Sequence, residues 1–66
     1  MEYIKQGISK SGKSVTLMQD IITTYMTGFP KTFDGYIVCY DNIRILEIHI
    51  EDKLIALSTY QNLLKI

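Results

Sequence analysis

The stretch "GISKSGKS" has the residue types and spacing for phosphate chemistry. Gly7, Gly12, Lys13 and Ser14 satisfy every fixed position of G-x-x-x-x-G-K-[ST]. In a phosphate loop, glycines let backbone N–H groups face phosphate oxygens, the lysine reaches the terminal phosphates, and the hydroxyl binds Mg²⁺. The local context suits it: Tyr3 to Ile8 reads as a short strand, an apolar stripe follows, and "YIVCYD" ends in Asp41, a carboxylate suited to the Mg²⁺ side of such a site. The architecture does not. That loop belongs in a parallel sheet built from several crossover units of about 30 residues each, and the chain has 66 residues in all. Lys5 and Gln6 also fall where a buried parallel strand would be apolar. Nucleotide binding is therefore ranked third. The first reading of "SKSGKS" is an exposed turn, with Lys10 and Lys13 the only compact basic patch, able to contact phosphates without a nucleotide-binding fold.

No other constellation suggests catalysis. His49 sits between apolar neighbours, with no serine, cysteine or carboxylate arrangement around it that would make a triad. Cys39 reads as a small buried apolar residue. One cysteine and one histidine can form neither an intrachain disulfide nor a four-ligand metal site. The chain is read as a non-enzyme with no cofactor and no metal.

Several elements must position the loop. From Val15 the residues Met18, Ile21, Ile22, Tyr25 and Phe29 fall at helical spacings, with Leu17 and Met26 beside the stripe and Gln19, Asp20, Thr23, Thr24 and Thr27 opposite. The spacing predicts an amphipathic helix from about Val15 to Met26, with Ser14 as N-cap and Gly28 and Pro30 as its stop. An extended second half is the alternative, because "IITTYMT" is rich in β-branched residues. Beyond Pro30, "TFDGYIVCY", "IRILEIHI" and "KLIALSTY" read as strands. A Glu51-Asp52 turn between the last two sets Ile48 opposite Ile55 and Leu46 opposite Leu57 on a core face. His49 then meets Leu54, Glu47 meets Ala56 and Ile43 meets Tyr60 on the other. "NLLKI" adds a short strand or an apolar tail. The expected fold is a β-rich α+β domain: one N-terminal amphipathic helix on a strongly bent antiparallel sheet of three to five strands. No linker or repeat divides residues 1–66, so they form one small domain in which residues 1–13 are a flexible arm or a short strand.

A domain this small buries only about 60% of the surface its unfolded chain exposes. Hydrophobic residues make up 47% of the chain, and mean hydropathy is +0.09. With no disulfide or metal to support it, self-association is the expected support, and a homo-oligomer is predicted. Net charge is zero, so no global basic field points to nucleic acid or membrane. Lysines are concentrated in the first half and carboxylates in the second, which in a ring would give two faces of opposite potential. "MEYIKQG" lacks the apolar core of a signal peptide, and no apolar run approaches the ~20 residues of a membrane span. A cytoplasmic protein with no membrane partner is expected.

From Ile22 onward, "ITTYMTGFPKTFDGYIVCYDN" resembles the first two strands of the Sm-like fold, in particular the Hfq family of RNA chaperones. The likeness rests on Gly35, followed six residues later by Asp41-Asn42 with Tyr40 just before them. It departs from the family in a longer first turn, in Ile43 where an aromatic is usual, and in Tyr60-Gln61-Asn62 where the family has Tyr-Lys-His. The resemblance implies an all-β, Sm/SH3-like small barrel with a short helix, closed into rings by strand edges. It also implies single-stranded RNA binding near a pore by Tyr40, Asp41, Asn42, Tyr60, Gln61 and Asn62, with Tyr stacking on bases and Asn and Gln reading base edges. Lys10 and Lys13 would add phosphate contacts. The simplest reading of Asp41-Asn42 alone is a hairpin turn, since both residues tolerate left-handed backbone. The leading functional expectation is a small homo-oligomeric RNA-binding protein. The alternative is a phage or mobile-element protein that binds and modulates a host protein.

Overall fold

The computed structural model describes residues 2–26 and 28–66, with Met26 as backbone alone. Four strands follow one another: β1 (Glu2–Ile8), β2 (Ser14–Met26), β3 (Phe29–Tyr40) and β4 (Ile43–His49). They form one antiparallel sheet in the order β1-β2-β3-β4. A single 3-10 turn, Ile50–Asp52, then leads into helix α1 (Lys53–Leu64). Short connections enforce the meander. Asp41 (φ 53°) and Asn42 (φ 65°) are both left-handed and make the two-residue link from β3 to β4, the geometry that matches the twist of a tight hairpin.

The helix expected over Val15 to Met26 is instead β2, paired with β3 from Val15↔Tyr40 to Met26↔Phe29. The helical spacing arose because β2 is apolar on both faces, buried on both in its first half and with Ile21 and Tyr25 exposed beyond it. Val15 and Leu17 point to one side, Met18 and Ile22 to the other, and all four are buried. A strand buried on both faces loses its two-residue alternation, and here the result mimics a helical stripe. Ser14 opens a strand and caps no helix, while Gly28 (φ 81°) belongs to a hairpin link and not to a helix stop. Thr27 lies outside the described residues.

The real helix stands where a last strand was expected. The pairings of Ile48 with Ile55, Leu46 with Leu57, His49 with Leu54, Glu47 with Ala56 and Ile43 with Tyr60 do not exist, because residues 53–64 are α1. Glu51 and Asp52 sit in the 3-10 turn, where the Glu51 N–H donates to His49 Nδ1 at 3.2 Å. Ala56 and Tyr60 are buried, and Leu57, Leu63 and Leu64 pack partly buried against the same cluster, a stripe at helical spacing. The fold is thus a strand-rich α+β meander with a C-terminal helix. It replaces both the helix-first sheet and the small barrel that the Hfq resemblance implied.

The core lies in two parts. Under α1, Val15, Leu17, Tyr36, Val38, Ala56 and Tyr60 form the larger cluster. On the opposite sheet face, Met18, Ile22, Ile37 and Cys39 form a smaller one, with Phe33 packed on it and stacked at 5.5 Å on His49. Two glycines permit close approach. A Cβ on Gly7 would stand 2.8 Å from Leu64 Cδ2 and 2.9 Å from the Tyr60 hydroxyl, so a side chain there would require those side-chain ends to shift; one on Gly35 would collide with Ile22 Cδ1 and the Ile48 carbonyl oxygen.

β2 and β3 outrun their neighbours. Pairing with β1 ends at Glu2↔Gln19, and pairing with β4 ends at Gly35↔His49. Beyond those points residues 21–26 and 29–34 pair only with each other. The result is a two-stranded arm on a helix-covered body, 40 Å long against 20 and 17 Å across.

Candidate functional site

The end of the body opposite the arm gathers three segments far apart in sequence. The β1–β2 loop folds on itself: the Ser9 N–H donates to the Lys13 carbonyl at 2.8 Å, and the Gly12 N–H to the Ser9 carbonyl at 3.0 Å. The Lys13 N–H donates to Ser9 Oγ at 3.1 Å. Ser9 is buried, so its hydroxyl organises the loop from within. The β3–β4 turn is tied alongside, with the Asp41 N–H donating to the Ser14 carbonyl at 2.8 Å. A hydroxyl relay links the two, Ser9 Oγ to Ser11 Oγ at 2.9 Å and Ser11 Oγ to the Tyr40 hydroxyl at 2.9 Å. Helix α1 supplies the third segment, since the Lys10 N–H donates to the Leu64 carbonyl at 3.2 Å.

The electrostatics follow from that placement. The three segments bring Lys10, Lys13 and Lys65 to this end together with Asp41. Lys13 Nζ lies 3.8 Å from Asp41 Oδ2, both side chains about half exposed, a pairing worth roughly 0–1 kcal/mol. The helix terminus here is the C-terminal one, whose carbonyls carry partial negative charge. Part of the lysine charge therefore offsets the helix, and the remainder faces solvent.

This geometry separates the two groups of candidate residues. A phosphate loop presents its anion to a helix N-terminus, whereas here a strand follows the loop and the abutting helix end has the opposite polarity. Gly7 lies within β1 beneath Leu64 and Tyr60, and Ser14 is paired in β2. Of the motif positions, Gly12 (φ 86°) and Lys13 alone belong to the loop proper. No family model, curated protein or solved structure matches the chain.

Of the remaining candidates, Lys10, Lys13, Asp41 and Asn42 are exposed at this end, and Gln61 and Asn62 are exposed on the last turns of α1. Tyr40 is half-buried, its ring against the core and its hydroxyl on Ser11. Tyr60 is buried beneath the helix and presents no face to a base. Ser11 and Lys65 went unnoticed in the sequence: each gains significance only from the fold, Ser11 by bridging two turns and Lys65 by ending the helix beside the loop. A shallow groove of about 280 Å³ along the β1–β2 hairpin is lined by Gln6, Gly7, Ile8, Ser14 and Thr16, none of them a carboxylate, histidine or cysteine. No group of metal-binding side chains occurs among the described residues. Among the same residues, no helix is long and apolar enough to cross a membrane.

Proposed function

We propose that this chain is a small non-catalytic RNA-binding protein that self-associates and takes single-stranded RNA across the turn end. The observation that carries the reading is the convergence there of the Lys10–Lys13 loop, the Asp41–Asn42 turn and the Gln61–Asn62 helix end. Lysines supply the sequence-independent phosphate contacts. Exposed Asn42, Gln61 and Asn62 side chains offer amide donors and acceptors to unpaired base edges. Stacking is a minor part of the interaction at this end, because Tyr40 and Tyr60 are committed to the core. Self-association is supported by the apolar side chains left outside the core, among them Leu54 at 80%, Tyr25 at 75% and Phe29 at 72% exposure.

Fluorescence anisotropy with uridine- and adenine-rich oligoribonucleotides over a salt series tests the reading. Binding is expected to weaken with salt, and Lys10→Ala and Lys13→Ala should each reduce the log–log salt slope by about 0.7. No binding at low salt would remove the RNA function. The second reading, a modulator of a host protein, draws on Leu54 and Ile55, exposed on the first turn of α1. Its signature is a stoichiometric host protein that co-purifies with the wild-type chain and is lost from Leu54→Ser.

A further inference from the structure

The two outer edges of the arm are not alike. Along β3 the edge carries Pro30, which lacks an N–H, then Lys31 and Asp34, all exposed. Proline and charge are the features that keep a strand edge from pairing with another chain. Along β2 the arm reads Asp20-Ile21-Ile22-Thr23-Thr24-Tyr25-Met26, with no proline, glycine or lysine. After Asp20 it has no charge, and Ile21, Ile22, Thr23 and Thr24 are four β-branched residues in a row before Tyr25. This is also the edge that β1 covers as far as Gln19 and then leaves.

We infer that the β2 edge of the arm is the self-association surface, pairing antiparallel with the same segment of a second copy about a twofold axis at Thr23. The inference rests on the self-association proposed above and names its interface. An isologous contact must be self-complementary, and this register is. With Thr23 opposite Thr23 of the second copy, each Ile21 faces a Tyr25 and each Tyr25 an Ile21. Both belong to the sheet face shared with Val15 and Leu17, and there, beyond the helix, both are exposed, Ile21 at 64%. An aromatic residue against a β-branched one is a favourable cross-strand pair. On the other face Ile22 falls opposite Thr24, and no like charges meet. A shift by one residue would set Ile21 against Thr24 and place the two copies' core faces on opposite sides of the sheet. The second copy's strand would continue the line along β2 that β1 vacates, so that two four-stranded sheets join into one through their arms. The corresponding twofold on β3, at Thr32, sets Lys31 against Phe33 and Pro30 against Asp34, and has no such match.

Light scattering at several concentrations, run on the full chain, gives the first test, with a dimer or a multiple of two expected. Ile21→Lys should raise the dissociation constant at least tenfold. Adding Tyr25→Glu to it should recover most of that loss, because in this register the new cation and carboxylate face each other. Thr23→Cys should become a covalent dimer with a short thiol-specific crosslinker, while Thr32→Cys, on the same face but on the guarded strand, should not; Cys39 is buried. Circular dichroism shows whether each variant is folded, and Thr23→Cys reads the interface even if Ile21→Lys is not. A monomer at every concentration overturns both the interface and self-association. An oligomer insensitive to Ile21→Lys and uncrosslinked through Thr23→Cys overturns the interface alone.

Discussion

The body and the arm are built from the same two strands, yet they bury their side chains very differently. In the body, Val15, Leu17 and Val38 have no exposed surface; in the arm, Ile21, Tyr25 and Phe29 leave most of theirs in water. Local sequence does not account for the contrast, since both halves of β2 are apolar and β-forming. What differs is cover. Helix α1 lies over the first half of β2 and the second half of β3, and β1 and β4 flank those same stretches. The arm has neither helix nor flanking strand. A hydrophobic strand thus becomes core or contact surface according to what the rest of the chain can reach.

The largest expected effect comes from removing the cover. Tyr60→Ala deletes a buried ring beneath α1 and should cost about 3–5 kcal/mol, enough to unfold a domain of this size. Tyr25→Ala on the arm should stay within about 0.5 kcal/mol at concentrations where the chain is monomeric. Thermal melts of the two side by side would break the contrast if they lost similar stability.

A smaller effect is expected at the junction. Gly35 lies where the flanking β4 ends, and an added Cβ meets Ile22 Cδ1 and the Ile48 carbonyl oxygen. Gly35→Ala should destabilise by about 1–3 kcal/mol through overpacking. Gly7→Ala should cost less, because the atoms it meets are the ends of the Leu64 and Tyr60 side chains. Urea titration gives the order, and a larger loss at Gly7 would place the critical close approach under the helix instead of at the root of the arm.

The smallest effect is at the turn end. Asn42 holds φ 65°, so Asn42→Val should cost about 1–2 kcal/mol for left-handed backbone, while Asn42→Gly should be neutral or slightly stabilising. If Asn42→Gly keeps full stability but loses RNA affinity, the residue acts on the ligand as well as in the turn.

Much of the strand layout was legible. The run from Thr32 to Tyr40, the run from Ile43, the turn character of residues 9–13 and the hairpin role of Asp41-Asn42 are local properties of β-branched, glycine and Asx residues. The helix was the main error, and its cause is specific. "KLIALSTY" looks like a strand when read as an alternation from a turn, whereas Ala56, Leu57, Tyr60, Leu63 and Leu64 make a helical stripe only when the window runs to the end of the chain. One half of the candidate residues, Lys10, Lys13, Asp41 and Asn42, stand on turns, which are locally encoded. The other half depended on how Tyr60 to Asn62 would fold, and the helix divided them, hiding Tyr60 and exposing Gln61 and Asn62.

By itself the sequence determined the turns, the extended character of β3 and β4, the impossibility of an intrachain disulfide and the surplus of apolar side chains. These follow from backbone preference and composition, which act over a few residues or over the whole chain at once. Only the tertiary structure decided that "GISKSGKS" is a hairpin loop beside a helix C-terminus, that Val15 to Met26 is a strand, and that Val15 and Leu17 on one face of it are core while Ile21 and Tyr25 farther along the same face are bare. Those outcomes depend on which segments reach one another, and a β-branched run takes its partner, its register and its burial from distant residues.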